Sequence, residues 1–420
     1  MGTFVDDLLA FGAKVGLYVI FMGTFVTIVR ILQRVFPQSV LNLANPLHRC
    51  INTCVNAREA LDHDEASATK TSASDVEETP LKRGIILAGC ALGLQTAYLT
   101  WGVLQEALMT TEYDGEVFTS SQFLVFSNRM VAMFVAIIIL NVVVQPPFLA
   151  PVYKFCFASF SNVMSSFCQY EALKFVTFPT QVIFKSSKMI PVMIMGKIID
   201  RKVYTVTDYA LAVVISTGVA IFTLSDSDDA GSDEKTTTLS GLIYLFGYIC
   251  FDSFTSQWQG SLFRTYKMSP YQMMAGINLF SATFTLMSLL ISGEMWYSLA
   301  FASAHPKAMV HMTVLSLCGA CGQLLIFYTI KKFGPLVFTI IMATRQLIAT
   351  ILSAFIYGHH IGLGGLLGAS IVFGAVGVNI WWKDRVRKNA KAAAAAAAAA
   401  SRGGEDGTES SKLVKSDSRV

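Results

Sequence analysis

Apolar residues in this chain run in blocks of about twenty, the length of a helix that crosses a bilayer. The blocks fall near residues 15–32, 84–108, 122–144, 148–170, 175–197, 206–224, 239–263, 270–292, 308–330, 335–357 and 363–382. An outer-membrane barrel would show short alternating segments, and these are absent. The pattern predicts an all-α polytopic membrane protein with ten spans in one dense block and one extra N-terminal span. Composition agrees, because the 420 residues are 53% hydrophobic and only 14% charged, with mean hydropathy +0.53. Soluble domains run nearer a quarter charged.

The charge between the blocks orients them. Arg30 and Arg34 follow the first apolar run rather than precede it, which predicts an uncleaved span with its N-terminus outside the cytosol. One set of loops holds Lys154; Lys197, Arg201 and Lys202; Arg264 and Lys267; Lys331 and Lys332; and the Lys383–Lys391 tail. The alternate set holds no Lys or Arg between Thr110 and Ser121, five acids against Lys235 between Ser225 and Thr238, then Lys307, and none between Gly358 and Gly362. The positive-inside rule makes the first set cytosolic. The expected organisation is a lumenal N-terminus and extra span (1–36), a polar cytosolic loop (37–83), a five-span half (84–224), an acidic lumenal linker (225–238), a second five-span half (239–382) and a cytosolic tail with a poly-alanine stretch (383–420).

Charge inside the spans carries the functional signal. Lys185 and Lys188 lie in the middle of the fourth span of the block. A lysine at the centre of a membrane helix costs about 2.5–3.5 kcal/mol on insertion scales, so it must face protein, water or a ligand. Both are too central to snorkel easily to the interface. On a continuous helix Thr177, Gln181, Lys185 and Lys188 form one polar stripe. A shift of 157 residues, which takes Lys188 to Arg345, lays one half on the other with its spans in register. It also pairs Gly84 with Gly241, Trp101 with Trp258 and Lys174 with Lys331. Five spans is an odd number, so the halves are inverted, as in secondary transporters with a midplane site. Lys188 and Arg345 then become opposed cations, with Gln346 beside Arg345. Two ammonium groups and a guanidinium suit a multiply charged phosphate or sulfate. The structural alternative is an internal ion pair, with Glu106, Asp252 or Glu171 as partner.

Further polar residues fall on the same spans. Gln95, Tyr98, Trp101, Gln105 and Glu106 form a polar-aromatic face suited to a nucleobase or ribose, as do Asp252, Gln257 and Gln259. Tyr170 ends the third span, Gln323 and Tyr328 line the eighth, and Arg129 is a further intramembrane cation that pairs with Glu106 or meets substrate. For each of these except Arg129, interhelical packing is the competing role. Cys318-x-x-Cys321 has no partner pair and reads as small packing residues. His359 and His360 have no acidic neighbours, and no metal or other cofactor is expected. There is no Walker loop, no clustered His box and no Gly-x-Ser-x-Gly elbow, so no catalytic constellation is present and an enzyme is not expected.

Several runs resemble the nucleotide-sugar transporter family of the drug/metabolite transporter superfamily. They are Tyr98–Glu106, Phe157–Asn162, Cys168–Phe175, Phe178–Val182, Lys188–Met193, Phe251–Ser256, Cys321–Gln323 and Phe338–Met342. Within that family the matches are most similar to the branch that carries the activated sulfate donor 3'-phosphoadenosine 5'-phosphosulfate. The resemblance spans 84–382, with Phe184 where the family pattern has a small residue. It implies the ten-helix drug/metabolite transporter fold as a 5+5 inverted repeat, alternating-access antiport against an adenosine nucleotide, and a Golgi membrane address. It also implies phosphate-binding roles for Lys185, Lys188 and Arg345. The other expected substrate-facing residues are Gln346, Gln181, Tyr98, Gln105, Glu106, Tyr170 and Arg129. The expected partners are the nucleotide substrates and the bilayer, with no nucleic acid and the oligomeric state left open. A carrier of another nucleotide, whether a nucleotide-sugar or ATP/ADP, and a receptor or scaffold with a degenerate pocket are the competing readings.

Overall fold

The computed structural model of the chain describes residues 16, 20, 23–35, 80–172, 175, 176, 180, 184, 185, 187–225, 239–357, 364–379, 382 and 385. A helical segment, 23–35, precedes α1 (Pro80–Thr110) and lies against the seventh helix, Phe25 meeting Phe280 edge-on at 6.2 Å. There follow β1 (Glu112–Tyr113), β2 (Glu116–Val117), α2 (Ser121–Val142), α3 (Tyr153–Ala172), α4 (Met189–Asp200) and α5 (Val206–Ser225). The second half holds α6 (Leu239–Tyr266), α7 (Pro270–Ser292), α8 (Glu294–Ala304), α9 (Pro306–Phe333), α10 (Pro335–Tyr357) and α11 (364–379). Helices 81–109, 121–142, 270–292 and 306–333 are each long and apolar enough to cross a membrane. The protein is all-α and multi-pass, and residues such as Leu92, Val103, Ile138 and Phe246 turn outward to the lipid.

Local chemistry sets the helix starts. Ser120 caps α2 by accepting from the Phe123 N–H at 3.3 Å. Ser269 and Gln272 form a reciprocal capping box on α7, with Pro270 in the first turn. Pro306 and Pro335 open α9 and α10, where a missing N–H removes a donor that has no helical partner.

The apolar core is divided. Leu94, Phe155, Met273, Ile277 and Phe327 join α1, α3, α7 and α9. At one end Leu108, Tyr113, Phe118, Leu289, Phe301 and Leu315 form a second cluster under the β1–β2 hairpin. Asp114 and Gly115 turn that hairpin with φ of 51° and 88°, the left-handed pair a two-residue turn requires. Tyr113 OH meets His311 Nδ1 at 2.8 Å, and Asp114 Oδ2 meets His305 Nδ1 at 3.2 Å, which ties the hairpin to α9 and its start. A third cluster, with Met193, Ile215, Phe222, Leu347 and Val372, joins α4, α5, α10 and α11.

The expected blocks and the helices coincide over most of their length. Two differences stand out. The short α8 and the hairpin occupy segments expected to be simple connections. The fourth span is not one continuous helix: Phe184 and Lys185 are helical, Ser187 and Lys188 form a turn, and α4 begins at Met189.

Helices α5 and α11 meet at glycines. A Cβ on Gly368 would lie 2.5 Å from the Phe222 nitrogen and 2.7 Å from the Gly218 carbonyl oxygen. Both are backbone atoms and cannot swing away. Gly368→Ala is expected to destabilise the detergent-solubilised protein by about 1–3 kcal/mol, seen as a lower Tm. Gly89→Ala, with nothing within 4 Å of its Cβ, is the matched control and should leave Tm unchanged.

Candidate functional site

The break in the fourth span originates at Pro191. Proline has no N–H to return to Ser187, so the Ser187 carbonyl accepts instead from Ile190 N at 3.1 Å, one residue early. Lys188 N–H reaches the Lys185 carbonyl at 3.4 Å, and Ser187 Oγ donates to the Phe184 carbonyl at 2.9 Å. Lys188 therefore sits at the N-cap position of α4, in a turn with Ser187, and Lys185 is a helical residue ahead of that turn. The single stripe expected from i, i+4 spacing is thus broken between Lys185 and Lys188. Phe184 packs with Phe167, Val176 and Tyr244, so the large residue at this position fills a local apolar cluster.

Lys188 forms an ion pair with Asp252 of α6, the two side chains being 19% and 25% exposed. Of the three carboxylates considered as partners from the sequence, Asp252 is the one that meets it. Tyr248 lies one turn before Asp252 on the same face, within electrostatic reach of Lys188, Asp252 and Arg345. Arg345, on α10, is close enough to repel both Lys185 and Lys188. Its guanidinium carbon is 5.8 Å from the centroid of the Tyr98 ring, a cation–π distance. Tyr98 in turn faces Arg129 of α2 and meets Trp101 edge-on at 6.5 Å. Helices α4, α6 and α10 and the helical residues before α4 thus bring Lys185, Lys188, Tyr248, Asp252 and Arg345 together, and Arg129 of α2 joins them through Tyr98 of α1. Arg345 Nε is buried with no hydrogen-bond partner among the described residues.

Other expected residues divide. Gln105 lies half-buried on α1. Gln181 and the side chains of Glu106, Tyr170 and Gln346 lie outside the described residues, as do Thr177, His359 and His360. Gln323 accepts from Asn278 Nδ2 at 2.9 Å, and Gln257 Nε2 donates to the Val192 carbonyl at 2.9 Å, so both serve interhelical packing. Tyr328 meets Lys332 at 3.5 Å on an exposed face, away from the constellation. Cys318 donates to the Ala97 carbonyl at 3.3 Å and acts as a packing residue. The sequence offers Asp252 both for a nucleobase-facing surface and as an ion-pair partner, and the second is the placement found, whereas Tyr248 is not among the expected residues. The one sequence signal for Tyr248 is its i, i+4 spacing from Asp252.

The same helix pair is tied again beyond the site. Arg264 of α6 pairs with Asp200 at the end of α4. Lys202 lies 3.7 Å from Asp200 and donates to Gln257 Oε1 at 3.2 Å. Burial and the nearby Arg264 guanidinium hold the Lys202 ammonium below the usual lysine range, against the pull of Asp200.

Lys185, Lys188 and Arg345 beside the Asp252 carboxylate, with Tyr98 linking them to Arg129, have the chemistry to meet a multiply charged anion with an aromatic part. The fold and this site define a multi-pass membrane protein with a polar, cationic centre. Residues 86–383 match the UAA transporter family, and the chain belongs to that family. It is 49% identical over 350 residues to the human adenosine 3'-phospho 5'-phosphosulfate transporter 1, covering 82% of this chain and 80% of the relative. The Drosophila melanogaster protein of the same name is 48% identical over 360 residues, covering 83% and 77%. The UDP-galactose/UDP-glucose transporter 5B of Arabidopsis thaliana is 35% identical over 309 residues, covering 72% and 88%.

The ion pair has a stability consequence. Lys188→Ala leaves Asp252 without its cation in a mostly buried position, and is expected to lower stability by about 1–3 kcal/mol. Lys188→Ala/Asp252→Ala should recover part of that loss, and a double-mutant cycle on Tm in detergent measures the coupling.

Proposed function

We propose that the protein carries 3'-phosphoadenosine 5'-phosphosulfate from the cytosol into the Golgi lumen by alternating-access antiport against an adenosine nucleotide, supplying sulfotransferases. The observation that carries this reading is the gathering of Lys185, Lys188 and Arg345, with Arg129 next to them across Tyr98. The ligand has a 3'-phosphate and a phosphosulfate, about four negative charges at neutral pH. Four cations less the Asp252 carboxylate leave the site net positive and close to matching it. Tyr98 and Trp101 offer ring faces to the adenine. Relatives named for this substrate are 39–49% identical to this chain.

The transport cycle requires two similar halves. The reading is a ten-helix 5+5 inverted repeat, 84–224 and 239–382, joined by the lumenal linker 225–238 and preceded by the extra span within 1–36 and the cytosolic loop 37–83, with the tail 383–420 cytosolic. Packing supports it by its reciprocity. Under the 157-residue shift α1, α2, α3, α4 and α5 correspond to α6, α7, α9, α10 and α11. The contact of α3 with α6 is matched by that of α9 with α1, α3 with α7 by α9 with α2, and α4 with α6 by α10 with α1. Helices α2 and α7, and α4 and α10, each meet their own counterpart. Such pairing is what a pseudo-two-fold axis in the membrane plane produces.

Buried cations also supply the logic of exchange. An empty site that must close over uncompensated charge is costly, so reorientation favours the loaded carrier. Phosphoryl recognition would fall to Lys185, Lys188 and Arg345, and Gln346, Gln181, Gln105, Glu106 and Tyr170 would complete the lining around Tyr98 and Arg129.

Uptake into proteoliposomes preloaded with adenosine nucleotides is the test. Labelled phosphosulfate should enter faster than UDP-sugars or ATP. Faster entry of either competitor would replace this substrate, as the 35% identity to a UDP-galactose/UDP-glucose transporter makes worth measuring. Lys188→Ala and Arg345→Ala should each cut transport at least about a hundredfold with normal expression, the loss of one charge-assisted phosphate contact being worth some 2–4 kcal/mol. Retained transport in both would overturn the site. No thermal shift with any nucleotide would favour a receptor or scaffold.

A further inference from the structure

The Lys188–Asp252 pair joins the two halves, since Lys188 caps α4 and Asp252 lies within α6. It is also the first of a row of polar ties along the α4–α6 seam. Next come Gln257 Nε2 on the Val192 carbonyl at 2.9 Å, Lys202 on Gln257 Oε1 at 3.2 Å, and Arg264 on Asp200. Only the first tie lies in the cationic constellation. An anion that takes Lys188 must take it from Asp252, and in doing so it removes the tie nearest the site.

The other half shows the same arrangement unmade. The 157-residue shift that takes Lys188 to Arg345 takes Asp252 back to Gln95. Gln95 is 6% exposed on α1, and neither its amide oxygen nor its amide nitrogen has a hydrogen-bond partner among the described residues. Arg345 lies against Tyr98, the next turn of the same helix, and its buried Nε also lacks a partner. Gln95 and Arg345 stand where the shift places Asp252 and Lys188, and their unsatisfied groups leave each able to take a partner in another state.

We propose that Asp252 is a positioning residue that couples anion binding to opening of the α4–α6 seam, with Gln95 and Arg345 as the equivalent pair of the α1–α10 seam. In the empty carrier the Asp252 carboxylate occupies the place of the ligand's phosphate on Lys188 and holds the seam shut. The nucleotide displaces it, the seam loosens, and when the nucleotide leaves the carboxylate reclaims Lys188. The two seams alternate, so that the pair made in one state is broken in the other. This rests on the nucleotide-exchange reading above, and the bound phosphate is that of the transported nucleotide itself.

Asp252→Asn separates the coupling from a merely structural role. Adenosine 3',5'-bisphosphate is the probe, in two measurements on the full chain: ligand-dependent thermal stabilisation in detergent, and exchange in proteoliposomes. Without its competitor Lys188 should bind the probe about tenfold more tightly, while exchange slows about tenfold or more because release has lost the returning carboxylate. A structural role alone would weaken both. Asp252→Glu should restore exchange. Should Asp252→Asn fail to fold, Gln95→Glu places a carboxylate against Arg345 and should weaken probe binding about tenfold. Weaker or unchanged binding in Asp252→Asn, or unchanged binding in Gln95→Glu, overturns the coupling alone provided the wild type is stabilised. A wild type that the probe does not stabilise overturns the nucleotide reading, and this proposal with it.

Discussion

The rest of this structure depends on how buried positive charge is compensated. Unit charges 4 Å apart interact by about 4 kcal/mol at an effective dielectric constant near 20, against about 1 kcal/mol in water. A lysine in a membrane span therefore dictates the positions of its neighbours. Lys188 has recruited Asp252 from α6. Arg345 has no carboxylate among the described residues and rests on the face of Tyr98, where the ring quadrupole offers partial compensation. The two cations differ in their compensation, one full and one partial.

That arrangement requires a helix end beside Asp252, and one proline supplies it. Pro191 leaves the Ser187 carbonyl to an early donor, and the chain turns at Ser187 and Lys188 before α4 begins. Backbone irregularity at membrane depth is tolerated where protein or a polar cavity surrounds it. The close helix approaches around it use small residues. Gly276 accommodates the Phe155 ring, whose nearest atom would lie 2.6 Å from a Cβ there, and Gly218 and Gly368 let α5 and α11 touch through their backbones. Packing enthalpy between close-fitting helices, more than hydrophobic exclusion, holds such a bundle together, since lipid is as apolar as the side chains it replaces.

How much of this was legible in the sequence follows from the range of each signal. Span positions were, because apolar length is a property of contiguous residues and the bilayer fixes it. The cations were, because any charge in such a run is conspicuous, and Lys185, Lys188, Arg345, Arg129 and Tyr98 do come together. The break before α4 was written locally in Pro191 but was hidden by the helical spacing of Thr177, Gln181, Lys185 and Lys188. The Asp114-Gly115 turn was equally local and foretells the hairpin. The partner of Lys188 was not legible, because Asp252 is 64 positions away and competed with Glu106 and Glu171 until packing decided. Gln257 and Gln323 looked like lining residues for the converse reason. A polar side chain in a span signals that some polar partner exists, and only the fold shows it to be the Val192 carbonyl in one case and Asn278 in the other.

The single carboxylate among four cations also bears on why such a site turns over at all. A pocket with four unopposed positive charges would hold a polyanion tightly on either side of the membrane and release it slowly, since affinity differences are expressed mainly in dissociation rate. Asp252 lowers the net charge of the empty site and gives Lys188 an alternative partner of fixed position. Departure of the anion then leaves an ion pair rather than a bare ammonium, which removes much of the penalty of the unloaded state. The remaining cations, Lys185, Arg345 and Arg129, keep enough of that penalty for loading to matter. A carrier of highly charged nucleotides has to be attractive and self-releasing at once, and placing one acid opposite the lysine that ends a broken helix meets both requirements with a single side chain.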